Sequence, residues 1–153
     1  MKKTVLTVAT ATALAASLGT AVLAQDFSAQ VKARQGQFRI MALNLGVLGG
    51  MAQGKMAYDA EAAQRAADTL VAVSHIDPAP MWVEGSDNMS IDGTRAMPSI
   101  WDDNADFLAK WAAFGTAAAN MQTVAATGKE ALGPALGMIG GTCKACHDAH
   151  RAP

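Results

Sequence analysis

The chain has 153 residues, a formal net charge of −1 at pH 7, 51% hydrophobic residues and only two cysteines. It contains no basic run and no basic residues interleaved with aromatic ones, which argues against a nucleic-acid-binding protein. Its length is enough for a single domain with a substantial core.

The N-terminus has the three parts of a secretory signal peptide. A basic start, Lys2-Lys3, precedes an apolar run over residues 5–18, and Val22-Leu23-Ala24 forms a cleavage site before Gln25. An uncleaved membrane anchor is the alternative, because the apolar stretch is nearly long enough to span a bilayer. The threonines and serines in the run, together with the cleavage site, favour removal.

We therefore predict a signal peptide at 1–24, one domain at 25–153 and a location in the periplasm. That compartment is oxidising, so a pair of unprotected thiols there could join as a disulfide.

The first predicted helix begins at Asp26 or Ser28, either of which can cap it, and ends near Gly49-Gly50. Beside its main apolar seam runs a second apolar stripe, which consists of Ile40, Leu43 and Val47. A deeply buried helix would explain such a wide apolar surface. A homodimer formed through the first two helices would explain it equally, and this is the assembly that we predict.

The second predicted helix runs from about Ala60 to Ile76, with Asp59 as its cap and Asp77-Pro78 as its end. Residues 77–97 then form a loop of uncommon length, which tends to be functional. We expect Met81 and Trp82 in this loop to pack on the bundle or on the edge of the cofactor described below.

The third predicted helix starts with Pro98 and reaches about Thr127, with Asn104 on its apolar seam. The fourth covers about Lys129 to Arg151, and Gly133-Pro134 can delay its start or bend it. Sustained period-two alternation is absent from the sequence, so we predict no strands. The expected fold is all-α, an antiparallel up-down-up-down four-helix bundle.

The residues with the greatest chemical content are Cys143-Lys144-Ala145-Cys146-His147, a C-x-x-C-H box. On a helix the two thiols lie at i and i+3 and the imidazole at i+4, so all three share one face. This spacing suits covalent attachment of one haem c, with two thioether bonds and His147 as the axial iron ligand.

Three other interpretations of the box remain open at this point. A thioredoxin-like redox pair is expected in a βαβ context, which the sequence does not show. A zinc site completed by His147 and His150 would crowd four ligands onto two helical turns. A structural disulfide between Cys143 and Cys146 is the third possibility.

The C-terminal stretch at 140–151, Gly-Gly-Thr-Cys-Lys-Ala-Cys-His-Asp-Ala-His-Arg, resembles that of the class II c-type cytochromes, the cytochrome c prime family. Cytochromes of class I carry the box near the N-terminus, whereas here it ends the chain. Arg34-Gln35, Lys55-x-x-Tyr58-Asp59-Ala60 and Ile100-Trp101 extend the resemblance across residues 25–153.

The resemblance implies further site residues. Arg34 and Gln35 match haem-edge positions of the family, and Arg34 could pair with a haem propionate. Thr94 and Arg95 match loop positions that touch the haem. Arg151 would lie beside His147, where its charge should lower the basicity of the imidazole.

The other axial side of the iron is expected to face Phe38, one turn after Arg34. In low-spin members of this class a methionine at that place binds iron, but a phenyl ring cannot coordinate. The resemblance therefore implies five-coordinate, high-spin iron that binds small diatomic gases, nitric oxide or carbon monoxide. The alternative is a low-spin, six-coordinate electron carrier with Met41 as the sixth ligand.

Gas binding and electron transfer are the two functions that the sequence favours. We expect no enzymatic activity, because a distal pair of His and Arg, as a peroxidase would need, is missing from the first helix. Of the remaining histidines, His75 should lie at a helix C-terminus and His150 at the surface or the haem edge.

Overall fold

The computed structural model describes residues 26–153, so the predicted signal peptide at 1–24 lies outside the described residues. It contains four long helices and one short one: α1 (Ser28–Ala52), α2 (Ala60–Ser74), α3 (Ser99–Asp102), α4 (Asn104–Val124) and α5 (Lys129–His150). The four long helices pack as α1 on α2 and α5, and α4 on α2 and α5. This is the predicted four-helix bundle, and the part of the chain described here holds one isolated β-bridge and no strand.

The helix boundaries follow local chemistry where a cap is present. The Asp59 carboxylate accepts a 2.7 Å hydrogen bond from the Ala62 amide, which confirms the predicted start of α2. Helix α1 passes through the predicted stop at Gly49-Gly50 and ends at Ala52. The chain turns instead at Gly54, whose φ of 71° is a left-handed conformation that glycine adopts without strain.

The third predicted helix is not continuous, which corrects the sequence-based expectation. Asp103 has φ −128° and ψ 62°, outside the helical region, and so separates α3 from α4. Its carboxylate accepts a 3.2 Å bond from the Asp106 amide and caps α4, a role that aspartate prefers to a helix interior. The seam position predicted for Asn104 is also wrong, since this residue is exposed beside the break.

The main hydrophobic core occupies one end of the bundle. Leu48, Leu70, Met121 and Leu132, one from each long helix, are fully buried there. Alanines on α2 let the neighbouring helices approach closely. A smaller cluster of Ala96, Ile100, Phe107, Trp82 and Trp101 lies towards the other end, where α1 and α4 begin and α5 ends. The dense core therefore does not fill the end of the bundle that carries the C-x-x-C-H box.

Two of the three residues in the second stripe of α1 are exposed. Ile40 is 45% exposed and Leu43 is 72% exposed, so a deeply buried helix does not explain these two side chains. Within residues 26–153, no helix has the length and apolar character needed to cross a membrane.

Candidate cofactor site

A cavity of about 660 Å³ opens between the start of α1, the start of α4 and the end of α5. This volume lies within the range that cofactor sites occupy, about 300–1,000 Å³. Residues from the long loop, Trp82 and Gly93 to Ala96, complete its wall. The expectation that Trp82 packs against the bundle is confirmed.

The box residues form one wall of this cavity. Cys143, Cys146 and His147 all line it, and both cysteines are free thiols. Burial raises the pKa of both thiols above its ordinary value. A thioredoxin-like pair is expected at a βαβ unit, and residues 26–153 form helices and no strand, so this interpretation is not supported.

The arrangement of side chains also argues against a zinc site. No group of three or more His, Cys, Asp or Glu side chains among the described residues is placed to hold a metal ion. His150, the proposed fourth ligand, is hydrogen-bonded instead to Asp106 and Ser99.

The imidazole of His147 is only partly covered by protein. Desolvation by burial lowers its pKa, and the positive charges of Arg151 and Arg95 lower it further. The Arg151 guanidinium donates towards the ring, with Nη1 3.5 Å from Nδ1. The structure thus places Arg151 beside the imidazole, as the resemblance implied.

The wall on α1 is aromatic and aliphatic beyond its first turns. Phe38 lines the cavity and makes edge-to-face contacts with Trp82 (6.3 Å between centroids) and Trp111 (6.4 Å). Its side chain is 38% exposed, whereas Met41 is only 6% exposed and also belongs to the main core. Phe38 and Met41 are the two residues that could face the second axial side of an iron bound by His147, and Phe38 is the more accessible of the two.

Arg34 is buried at the cavity wall and holds the long loop in place. Its guanidinium donates to Ser86 Oγ at 2.8 Å, to the Ser86 carbonyl at 2.9 Å and to Thr94 Oγ1 at 3.2 Å. It also stacks over the Trp82 ring, 4.6 Å from the centroid. Burial lowers the pKa of Arg34 from its very high ordinary value, yet the group stays a cation.

The remaining predicted rim residues are exposed and bonded to backbone. Gln35 Nε2 donates to the Gly93 carbonyl at 2.8 Å. Arg95 Nε donates to the Ala152 carbonyl at 2.9 Å, which ties the loop to the C-terminus. Arg34, Gln35, Thr94, Arg95 and Arg151 are thus brought together around one cavity.

His150 was only partly anticipated. It is 4% exposed, so the predicted surface position is wrong, but it lies at the cavity edge. The sequence signal that could have found it is the spacing of four, three and four from Ile139 through Cys143 and Cys146 to His150, which indicates the inward seam. Its partners Asp106 and Ser99 come from other helices and gave no sequence signal.

The cavity's residues fit a haem c. Two free thiols and an imidazole on one wall match the two thioether bonds and one axial ligand of that group. The opposite wall is apolar, and arginines at the rim suit the propionates of the macrocycle. The fold and the site together define a c-type haem protein built on a helical bundle.

Comparison with known proteins identifies the family. The family model described as Cytochrome C′ matches residues 29–151. The cytochrome c prime of Cereibacter sphaeroides is 42% identical over 138 residues, which cover 90% of this chain and 93% of the relative. The chain belongs to the cytochrome c prime family, whose cofactor is covalently attached haem c.

Solved structures agree with this assignment. A cytochrome c prime from Rhodobacter sphaeroides superposes with a TM-score of 0.80 at 41% identity, over 84% of this chain and 98% of that one. A nitric oxide complex of a mutant cytochrome c prime from Alcaligenes xylosoxidans gives 0.71 at 30% identity, over 84% and 98%. Members of the family are themselves standard examples of the up-down-up-down bundle.

Proposed function

We propose that the protein is a periplasmic mono-haem cytochrome that binds small diatomic gases, nitric oxide or carbon monoxide, at five-coordinate, high-spin iron. Cys143 and Cys146 hold the haem covalently, and His147 is the axial ligand. When bound, haem c supplies an iron that changes oxidation state and can take a ligand on its open side. The chain would hold the haem on one face through Cys143, Cys146 and His147, and its residues on α1 would line the pocket on the other face.

The position of the box supports the first part of this proposal. The two thiols and the imidazole follow one another along the end of α5 and all line the cavity. Arg151 lowers the basicity of His147, so this ligand donates more weakly to a metal than an isolated imidazole would.

The observation that carries the gas-binding proposal is the apolar wall on α1. Past Gln35, the cavity-lining residues of this helix are Phe38, Met41, Ala42 and Leu45. Such a wall excludes water and anions and donates no hydrogen bond to bound dioxygen. A small neutral diatomic ligand remains, provided that the Phe38 ring can move aside.

Met41 is the less suitable candidate for a sixth ligand. It is 6% exposed and packs in the main core with residues such as Leu48 and Leu70. To bring its sulfur to a metal, α1 would have to slide or turn against that core. The six-coordinate alternative therefore requires core contacts to break, whereas the five-coordinate state does not.

Visible spectra of the ferric and ferrous protein test the proposal directly. We expect high-spin spectra in both states, and Met41→Leu should leave them unchanged. Phe38→Met is the matched variant, because it introduces a thioether at the accessible position and should give a low-spin spectrum. A sharp sulfur-to-iron band in the wild-type protein that disappears in Met41→Leu would contradict the five-coordinate proposal.

Electron transfer is the second candidate function, because the iron of a bound haem can change its oxidation state. Gain or loss of a ligand at iron adds reorganisation to electron transfer, which favours gas binding as the main role. Nitric oxide affinity and electron self-exchange, measured on one sample, separate the two. Slow self-exchange with tight nitric oxide binding supports the proposal, and the reverse pattern supports a carrier.

Two further parts of the proposal concern assembly and export. The exposed Ile40 and Leu43 lie one turn apart on α1 and support a homodimer through the first two helices.

Export with cleavage before Gln25 is supported by the residue pattern of the first 24 positions. N-terminal sequencing of the secreted protein tests the cleavage site.

A further inference from the structure

Hydrogen bonds from other parts of the chain hold the backbone of the final turn of α5. A helix leaves its last four carbonyl groups without intrahelical partners, and helix ends fray easily. Here the His147 carbonyl accepts from the Arg151 amide at 3.2 Å. The Ala149 carbonyl accepts from Ser99 Oγ at 2.8 Å, and the His150 carbonyl accepts from the Met97 amide at 2.9 Å.

The His150 side chain joins the same contacts from the other direction. Its Nδ1 lies 3.0 Å from Ser99 Oγ, and its Nε2 lies 3.0 Å from Asp106 Oδ2. The Asp106 carboxylate can only accept, so Nε2 donates to it. Nδ1 and the Ser99 hydroxyl form the second hydrogen bond of the ring, and Ser99 Oγ also donates to the Ala149 carbonyl.

Asp106 is well suited to this acceptor role. Lys110 on the same helix forms an ion pair with it, and that hydrogen bond is the main reason why the pKa of Asp106 is lowered. The hydrogen bond from His150 lowers the pKa further. The carboxylate therefore stays ionised at neutral pH and faces the buried ring.

Packing alone does not require a histidine at this position. The ring meets Phe107 edge to face at 5.8 Å, and Phe107 in turn packs on Trp82 at 5.0 Å. A phenylalanine could keep that contact, but it would leave Ser99 and Asp106 without their shared partner. The two polar contacts of His150 thus have a separate effect, which is to hold the end of α5 against α3 and α4.

We propose that His150 is a positioning residue for His147. By bonding Ser99 and Asp106 at once, it keeps the last turn of α5 helical, so that the imidazole of His147 stays on the same face as Cys143 and Cys146. This inference rests on the proposed function, in which His147 binds the haem iron.

The test uses haem-loaded protein and the resonance Raman band of the iron–imidazole stretch in the ferrous state. His150→Phe keeps an aromatic ring and removes both hydrogen bonds, and Ser99→Ala is the milder variant if the first loads haem poorly. We expect both to shift or broaden the band. The exposed His75, at the end of α2, provides the control variant His75→Phe, which should not change it.

Asp106 offers a conservative pair of variants for the same readout. Asp106→Asn can still accept from His150 and should keep the wild-type band, whereas Asp106→Leu should change it. A lower melting temperature with an unchanged band in His150→Phe and Asp106→Leu would show that His150 only stabilises the fold, and would overturn the inference.

Amide hydrogen exchange separates this inference from the proposed function. If the wild-type protein shows no iron–imidazole band, the proposed ligand is wrong, but the last turn can still be examined. Loss of the hydrogen bonds of His150 should speed exchange in residues 147–152 by about tenfold or more. Exchange in His150→Phe equal to that in wild type and His75→Phe would mean that His150 does not hold the final turn.

Discussion

Replacement of Arg34 by methionine tests how strongly the long loop is attached to the cavity wall. The methionine stem keeps much of the packing but removes the three hydrogen bonds of the guanidinium and its contact with Trp82. Ser86 Oγ keeps its bond to the Val83 carbonyl, and Thr94 Oγ1 keeps the bond from the Ala96 amide. The backbone carbonyl of Ser86, which is fully buried, loses its hydrogen-bond donor.

The expected cost follows from these contacts. An unsatisfied buried carbonyl costs about 1–3 kcal/mol, and the lost cation–π contact about 1 kcal/mol, so unfolding should become easier by about 2–4 kcal/mol. For a domain of this size about 1 kcal/mol corresponds to ~4 °C, so the melting temperature should fall by roughly 8–16 °C.

Thermal unfolding of the haem-loaded protein, followed by circular dichroism, measures this change. Arg39→Met is the matched control, because Arg39 lies on the same helix and is exposed. Limited proteolysis should also cut residues 77–97 faster in Arg34→Met than in Arg39→Met. If the two variants melt within about 2 °C of each other and are cut at equal rates, Arg34 does not anchor the loop.

Three further outcomes are expected. Phe38→Ala removes two edge-to-face contacts worth about 0.5–1.5 kcal/mol each, so stopped-flow carbon monoxide binding should speed up about tenfold or more, and an unchanged rate would mean that the ring does not gate the site. Leu43→Glu should raise the dimer dissociation constant in sedimentation experiments by about 100-fold, whereas Leu108→Glu, at a residue 44% exposed on α4, should not; equal effects would place the interface elsewhere. Because the pKa of Asp106 is lowered, its stabilising effect is present above the ordinary pKa of about 3.9 and is lost as pH falls below it. The difference in melting temperature between wild type and Asp106→Asn should therefore stay constant down to about pH 5 and shrink as pH falls below about 4, and a difference that does not shrink would exclude this linkage.

Local signals in the sequence were sufficient for most of the fold. Asp59 caps α2 as predicted, because a cap depends on atoms three residues away. The break at Asp103 was missed, because the apolar spacing continues through it from Ile100 to Phe107 and masks the capping preference of aspartate. Whether Ile40 and Leu43 are buried depended on neighbouring helices, which helical periodicity does not specify.

In the cavity, too, the sequence indicated the residues with a local pattern but not the contacts between distant positions. The box was evident because its spacing is local and specific, and all its residues line one cavity. The bonds of Arg34 to Ser86 and Thr94 join positions 52 and 60 residues apart, so the sequence could indicate Arg34 but not its partners. The buried position of His150 likewise depends on Ser99 and Asp106, about fifty and forty-four residues earlier.

The proposal depends above all on one haem joined to the end of α5. Mass spectrometry of the secreted protein, made in cells with working haem-attachment machinery, measures this most directly. We expect the intact mass to exceed that of residues 25–153 by one haem, with the added mass on the peptide that contains Cys143 and Cys146. The added mass should be absent when both cysteines are replaced by serine. An unmodified mass for the wild-type protein would contradict the proposal.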